Sequence, residues 1–186
     1  MVAISKWTLP VFSLMLLCAA SSAQPASAPA QQGPTSPAVA AEDILAQIGS
    51  GEPLNYDNVT ITGQLDLTHL AGPVRQSVKI TNSLFQGPLN FNAVSFDGAL
   101  DLRGCVFQEN ASFAKSNFLS DVSLSGARFR GQADFQNSHF GGQATFMSTL
   151  FLNDTSFGNA QFEGDAVFLN SGFARDVDYN FAQFFR

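Results

Sequence analysis

One interval separates Asp154 from Asp176, and the same interval spaces Asp134, Ser156 and Asp178. If that interval is one structural repeat, each set becomes a column of neighbours. Paired carboxylates can hold calcium when further oxygen ligands complete the shell, but too few can be named beside Asp154 and Asp176. Asp134 and Asp178, two repeats apart, would be separated by ~10 Å, just beyond the reach of an acid and base pair in inverting glycoside hydrolysis. A convex strand face also offers no pocket to desolvate an acid. His139 has Asn117 and Gln161 at the repeat interval, with no Cys or second His, and His69 has no evident partner set. Cys105 occupies a slot filled elsewhere by Ala and Ser, which reads as buried packing rather than an exposed thiolate. The sequons at Asn58, Asn110 and Asn153 arise from the repeat grammar itself. The expectation is a chain with no catalytic residue, no metal site, no cofactor and no small-molecule substrate.

The elements that would position these residues follow from one count. Ile80, Phe85, Phe91, Phe96, Leu102, Phe107, Phe113, Phe118, Leu124, Phe129, Phe135, Phe140, Phe146, Phe151, Phe157, Phe162, Phe168, Phe173, Tyr179 and Phe184 are separated by five, six, five and six residues without a break. Of the 19 Phe residues only Phe12, Phe181 and Phe185 lie off this lattice. Two positions before each lattice residue stands a smaller one, such as Ala111, Ser116, Val122 or Ala127. Alternate residues of an extended strand face the same way, so each step is a very short strand with a large and a small residue inward, followed by a corner. Gly87, Gly98, Gly131, Gly142 and Gly164 mark the six-residue corners, and Asn82, Gly104, Gly126, Asn137, Asn159 and Asn170 the five-residue ones. Gly and Asn tolerate the left-handed backbone that tight corners often require.

Stretches such as Ala127-Arg128-Phe129-Arg130-Gly131-Gln132-Ala133-Asp134-Phe135 carry a resemblance to the pentapeptide-repeat proteins, in the Phe-rich variant with alternating five- and six-residue units. The resemblance implies an all-β, right-handed quadrilateral β-solenoid, about 22 residues per coil, with large residues stacked inside. One column would run Phe91, Phe113, Phe135, Phe157, Tyr179 and another Phe96, Phe118, Phe140, Phe162, Phe184. An echo of residues 94–102 in residues 59–67 places the start of the solenoid near Asn58, and the broken spacing of residues 68–76 predicts an outward loop. Residues 42–48 predict a short capping helix, ended by Gly49 to Gly51.

Residues 1–23 read as a secretory signal peptide: a cationic start at Lys6, an apolar run, and small residues at Ser21-Ser22-Ala23. Lipid anchoring at Cys18 is the alternative, opposed by Leu17 where a small residue is needed. Residues 24–41, dominated by Pro, Ala, Ser and Gln, predict a disordered spacer; residues 42–57 a capping helix and lead-in; residues 58–186 the solenoid. Net charge of −6 with no basic run disfavours nucleic acid as a partner. The best-known members of the resembled family are cytoplasmic DNA mimics that inhibit type II topoisomerase, a role the export signal disfavours here; a polysaccharide-active solenoid enzyme is the other alternative. The expected function is an exported, periplasmic or extracellular, non-enzymatic scaffold or protein-binding module. Its candidate interaction patch comprises Met147, Leu150, Leu152, Val167 and Leu169, facing a protein or envelope partner. The C-terminal coil, with no amphipathic helix to cover it, predicts end-to-end homodimerisation.

Overall fold

Strands of two residues cannot stand alone, so each must find the equivalent strand one coil away. In the computed structural model, which describes residues 36–185, they do so on four sides. Side I stacks Leu54–Asp57, Val78–Thr81, Leu100–Asp101, Val122–Ser123, Ala144–Thr145 and Ala166–Val167. Side II stacks Ala38–Ala40, Thr60–Thr62, Leu84–Phe85, Val106–Phe107, Arg128–Phe129, Leu150–Phe151 and Gly172–Phe173. Side III runs from Leu65–Asp66 to Val177–Asp178, and side IV from Ser95–Phe96 to Gln183–Phe184. All pairing is parallel, and after the first coil the register advances by the lattice interval each time, as in Phe107 against Phe129 and Phe118 against Phe140. The architecture is the all-β quadrilateral solenoid that the lattice implies.

The lattice residues fill the interior. Every one from Ile80 through Phe162 is buried. Successive rings in a column lie face to face: Phe107 on Phe129 at 4.6 Å, Phe135 on Phe157 at 4.8 Å, Phe140 on Phe162 at 4.7 Å. Rings of adjacent columns meet edge to face, as Phe135 does with Phe146 at 5.5 Å and 87°. Phe91 and Phe113 depart from the column rule, meeting at 89° rather than stacked.

The small inward slot has a second use. Ser138 Oγ donates to the Phe113 carbonyl oxygen at 2.7 Å, Thr149 Oγ1 to that of Leu124 at 2.8 Å, and Ser171 Oγ to that of Phe146 at 2.6 Å. A hydroxyl there binds the preceding coil and leaves no buried side-chain donor unpaired among the described residues.

Corner geometry divides the two unit lengths. The five-residue corners turn through positive φ at Asn82, Asn137, Asn159 and Asn170, as well as Gly104 and Gly126. The glycines of the six-residue corners are not left-handed, contrary to the expectation. They are small because backbone passes directly against them: a Cβ on Gly87 would collide with the Gly63 carbonyl oxygen.

The ordered chain also begins earlier than expected. Leu54–Asp57, placed in the lead-in, is a full side I strand, Leu54 against Val78 and Tyr56 against Ile80. Ala38–Ala40, placed in the spacer, pairs with Thr60–Thr62 and sets Val39 against Ile61. Backbone pairing carries that strand, because the Ala-Val-Ala run has no large inward residue to announce it. Residues 59–67 stack against residues 83–91, not in the register of residues 94–102 that they resemble. The coil joining these partners is longer than those that follow, since the turn before Val74 adds to it. Val74 itself returns to the core, 2% exposed, and bridges to Phe96, so only the first part of residues 68–76 lies outward.

The helix α1, Ala41–Ser50, covers the N-terminal end of this core with Ala41, Ile44 and Ile48, and ends at left-handed Gly51. It is longer by a residue or two at each end than residues 42–48. The expected signal peptide over residues 1–23, with Cys18, and the first part of the spacer lie outside the described residues.

At the other end burial fades: Phe168, Phe173 and Tyr179 are partly buried, and Phe184 is 50% exposed. Mid-rod and terminal rings should therefore differ in worth. Phe135→Ala should cost about 3 to 5 kcal/mol in urea unfolding, and Phe184→Ala clearly less, because its ring is already half in water. Equal costs would contradict this packing.

Candidate functional site

Inward positions are committed to packing, so any site must lie on the outward residues, the corners or the open end. The apolar candidates cluster in the last coils. Met147 and Leu169 occupy the same corner between sides I and II, one coil apart, and are 40% and 60% exposed. Val167 projects outward from side I, paired with Thr145, and is half-buried. Leu150 lies round the corner on side II, half-buried, where it leans over Gly172: a Cβ on that glycine would be 2.9 Å from Leu150 Cδ2. Leu152, 38% exposed, closes side II, and with Leu150, Phe173 and Ala174 lines a shallow depression of about 170 Å³. The five residues thus lie on sides I and II and at the corner between them.

Five exposed apolar side chains extend the inventory: Leu119, Val177, Phe181, Phe184 and Phe185. Phe181, 82% exposed, holds a positive φ of 59°, a backbone state unusual for a bulky residue. For Leu119, Phe181 and Phe185 the signal available in sequence is a position off the lattice of large inward residues; Val177 and Phe184 stand in inward slots and are exposed in the last described coil.

The acidic column forms a polar concavity of about 370 Å³, lined by Asp134, Asp154, Ser156, Asp176 and Asp178. Two of its four carboxylates are occupied by their own corners. Asp134 Oδ1 accepts the Gln136 N–H at 2.9 Å and Asp178 Oδ1 that of Asn180 at 2.8 Å, while Ser156 Oγ donates to Asp178 Oδ2 at 3.4 Å. The same turn-capping arrangement recurs at Asp66 with Thr68 and at Asp101 with Arg103. Among the described residues no three His, Cys, Asp or Glu side chains converge as a metal site.

His139 bridges coils: Nδ1 is 2.8 Å from Asn117 Oδ1, and Nε2 is 3.1 Å from Glu163 Oε1. The repeat interval does not announce Glu163 as a partner, because it lies two positions beyond the stacked residue Gln161. His69 sits exposed in the irregular loop. Cys105 is fully buried, its Sγ 3.1 Å from the Ile80 carbonyl oxygen that it donates to, and burial pushes the thiol up to about 12. It takes the inward slot that Ser83 holds one coil earlier, and burial disfavours its thiolate.

Three carboxylates are held below the usual range: Asp57, Asp101 and Asp66, where burial pushes upward but hydrogen bonds from Thr68 and Asn90 outweigh it. Asp57 is lowered by hydrogen bonds from the Thr81 hydroxyl at 2.6 Å and the Asn82 amide at 2.8 Å. For Asp101, burial pushes upward, but the Arg103 side chain, bonded at 2.7 and 2.8 Å, and the Arg103 N–H outweigh it.

The family profile described as Pentapeptide repeats (9 copies) matches residues 91–139 and 135–182. No curated protein and no solved structure matches the chain.

Two measurements follow. In a Cys18→Ser background, Cys105 should resist a thiol reagent at pH 8 until the chain is unfolded, since the thiolate is scarce and covered; rapid native labelling would refute this. A depressed folded pKa contributes stability that is whole above the ordinary value of 3.8 and fades as pH falls through the folded one. Unfolding titrations should thus show stability dropping below that pH, with a shallower drop in Asp57→Asn, and an unchanged slope would remove Asp57 from the account.

Proposed function

We propose that this chain, a member of the pentapeptide-repeat family, is an exported non-enzymatic scaffold that presents a protein-binding surface on a rigid four-sided rod. The observation carrying the reading is the bent apolar surface of Met147, Leu150, Leu152, Val167 and Leu169, set on corners whose backbone is fixed by the ladder beneath. Exposed apolar side chains gathered on one region of a rod are suited to a protein partner. Against an enzyme stands the use of Asp134 and Asp178 as corner caps, which leaves both bonded to their own backbone. Export rests on the residue pattern of the first 23 positions, and a periplasmic or extracellular partner is the occupant this reading requires. The chain's acidity is compatible with the DNA-mimic alternative, which places the protein in the cytoplasm with Met1 retained.

The processed protein should capture a partner from envelope extract that a Met147→Ser/Leu150→Ser/Leu169→Ser variant loses at least tenfold. Identical recovery by both would discard this surface. Finding the intact chain, Met1 included, only in the cytoplasm would discard the address.

A further inference from the structure

Side II carries a charge pattern beside its apolar residues. Three of the chain's nine Lys and Arg residues lie on it or at its edge. Arg128 pairs with Leu150 in the ladder, and Arg130 stands two residues further along the same line, one coil before Leu152. Arg175 follows Ala174 where the chain leaves side II, one coil beyond Leu152. All three are exposed. The ion pairs among the described residues are Arg103 with Asp101 and His139 with Glu163, so none of these three guanidinium groups is neutralised in that way. Paired strands repeat at ~4.8 Å, which puts Arg128 and Arg130 beside Leu150 and Leu152. On a chain of net charge −6, a row of unpaired cations along an apolar strip departs from the general surface.

The relief of this strip suits a single apolar anchor. Gly172 has no side chain and Leu150 leans across it, so the depression of about 170 Å³ opens between Leu150, Leu152 and Ala174. A side chain seated there has guanidinium groups on two flanks: Arg128 and Arg130 one coil back, and Arg175 at the corner one coil on. Guanidinium forks hold carboxylates through paired, charge-assisted hydrogen bonds, and they are more weakly hydrated than an ammonium group. The strip therefore asks its occupant for an apolar side chain and for carboxylates on either side of it.

We infer that the partner is an acidic protein segment laid across side II, with one large apolar side chain over Gly172 and its carboxylates on Arg128, Arg130 and Arg175. The inference rests on the apolar binding surface proposed above and gives its partner a chemistry. An anionic bilayer also offers apolar groups and negative charge, but it extends past the strip in every direction. Asp154 and Asp176 stand exposed at the next corner of the same coils and would be pressed against its headgroups. At such close approach, salt does little to screen the repulsion. A segment confined to side II keeps its carboxylates on the arginines and away from both aspartates.

Fluorescence anisotropy on the purified protein tests this with a labelled synthetic peptide, one Phe flanked on each side by two Glu. That peptide should bind at least tenfold more tightly than a counterpart with Lys for Glu, and tenfold more tightly than one with Ser for Phe. Arg128→Gln/Arg130→Gln should weaken it at least tenfold, while Lys115→Gln, exposed at the corner between sides III and IV, changes it less than twofold. Both variants should keep an unchanged β-type circular dichroism spectrum, since these side chains lie outside the core. No binding at millimolar peptide, equal binding of the Glu and Lys peptides, or full affinity in Arg128→Gln/Arg130→Gln would overturn the inference. So would vesicles of phosphatidylglycerol and phosphatidylcholine that bind the protein and displace the acidic peptide, an outcome that assigns the strip to a membrane. The Met147→Ser/Leu150→Ser/Leu169→Ser variant separates this inference from the reading beneath it. An envelope partner lost by that variant but retained by Arg128→Gln/Arg130→Gln leaves the apolar surface standing and removes the acidic segment; recovery unchanged in both removes both.

Discussion

One coincidence of lengths governs the molecule. Hydrogen-bonded strands repeat at ~4.8 Å, and face-to-face aromatic rings settle at nearly the same separation. Here the stacked rings lie 4.6 to 5.3 Å apart. Backbone ladder and side-chain column can therefore share one axis without either accumulating strain along the rod. The first coil shows what happens where the period changes. It is longer than the rest, and its core is aliphatic: Leu54, Ile61, Leu65, Leu67 and Val74. Branched aliphatic side chains fill space without demanding a face-to-face partner, so they tolerate the altered register next to α1. Phe91, the first ring of its column, sits over Leu67's coil and meets Phe113 edge-on, at the boundary between these two kinds of packing.

The same shared axis makes the interior polar groups manageable. A corner between short strands turns carbonyls toward the core, where water cannot reach. Serine or threonine in the small slot donates to such a carbonyl one coil back, and Cys105 does so more weakly. The slot is thus selected for size and for a proton. Size alone explains Ala127 and Ala160, but not why Ser and Thr outnumber Ala at some corners.

Much of this is legible in the sequence because the lattice is long and the residue type unusual. Twenty inward positions at five and six residues define sides, coil length and columns before any coordinate is known. What escapes lies where that signal stops. Ala38–Ala40 has too little side chain to declare itself and is found through backbone pairing alone. The register of residues 59–67 is ambiguous because two sides share the same grammar of large and small residues, and only the length of the intervening loop distinguishes them. The corner glycines share an offset but serve two ends: positive φ in the short corners, room for a passing carbonyl in the long ones. The candidate surface is legible as off-lattice apolar residues. Its passage round a corner follows from the same count, which sets Leu150 and Leu152 at and beyond the corner that follows Met147 and Leu169.

Outward acidity has to be read against the demands of the corners before it is read as function. Asp66, Asp101, Asp134 and Asp178 each accept an N–H from two residues onward, and Asp121 accepts that of Gln143 in the next coil. A carboxylate satisfies such an N–H better than a neutral acceptor does, since the bond is charge-assisted. Repeating a corner that needs a short acceptor side chain therefore accumulates negative charge as a by-product of geometry. The net charge of −6 is in part the signature of many capped corners, and so carries little weight as evidence for a polyanion mimic. What the corners do not demand is a large apolar side chain in water, and that surplus, at Met147, Leu169 and Phe181, is where interaction with another molecule has the strongest physical warrant.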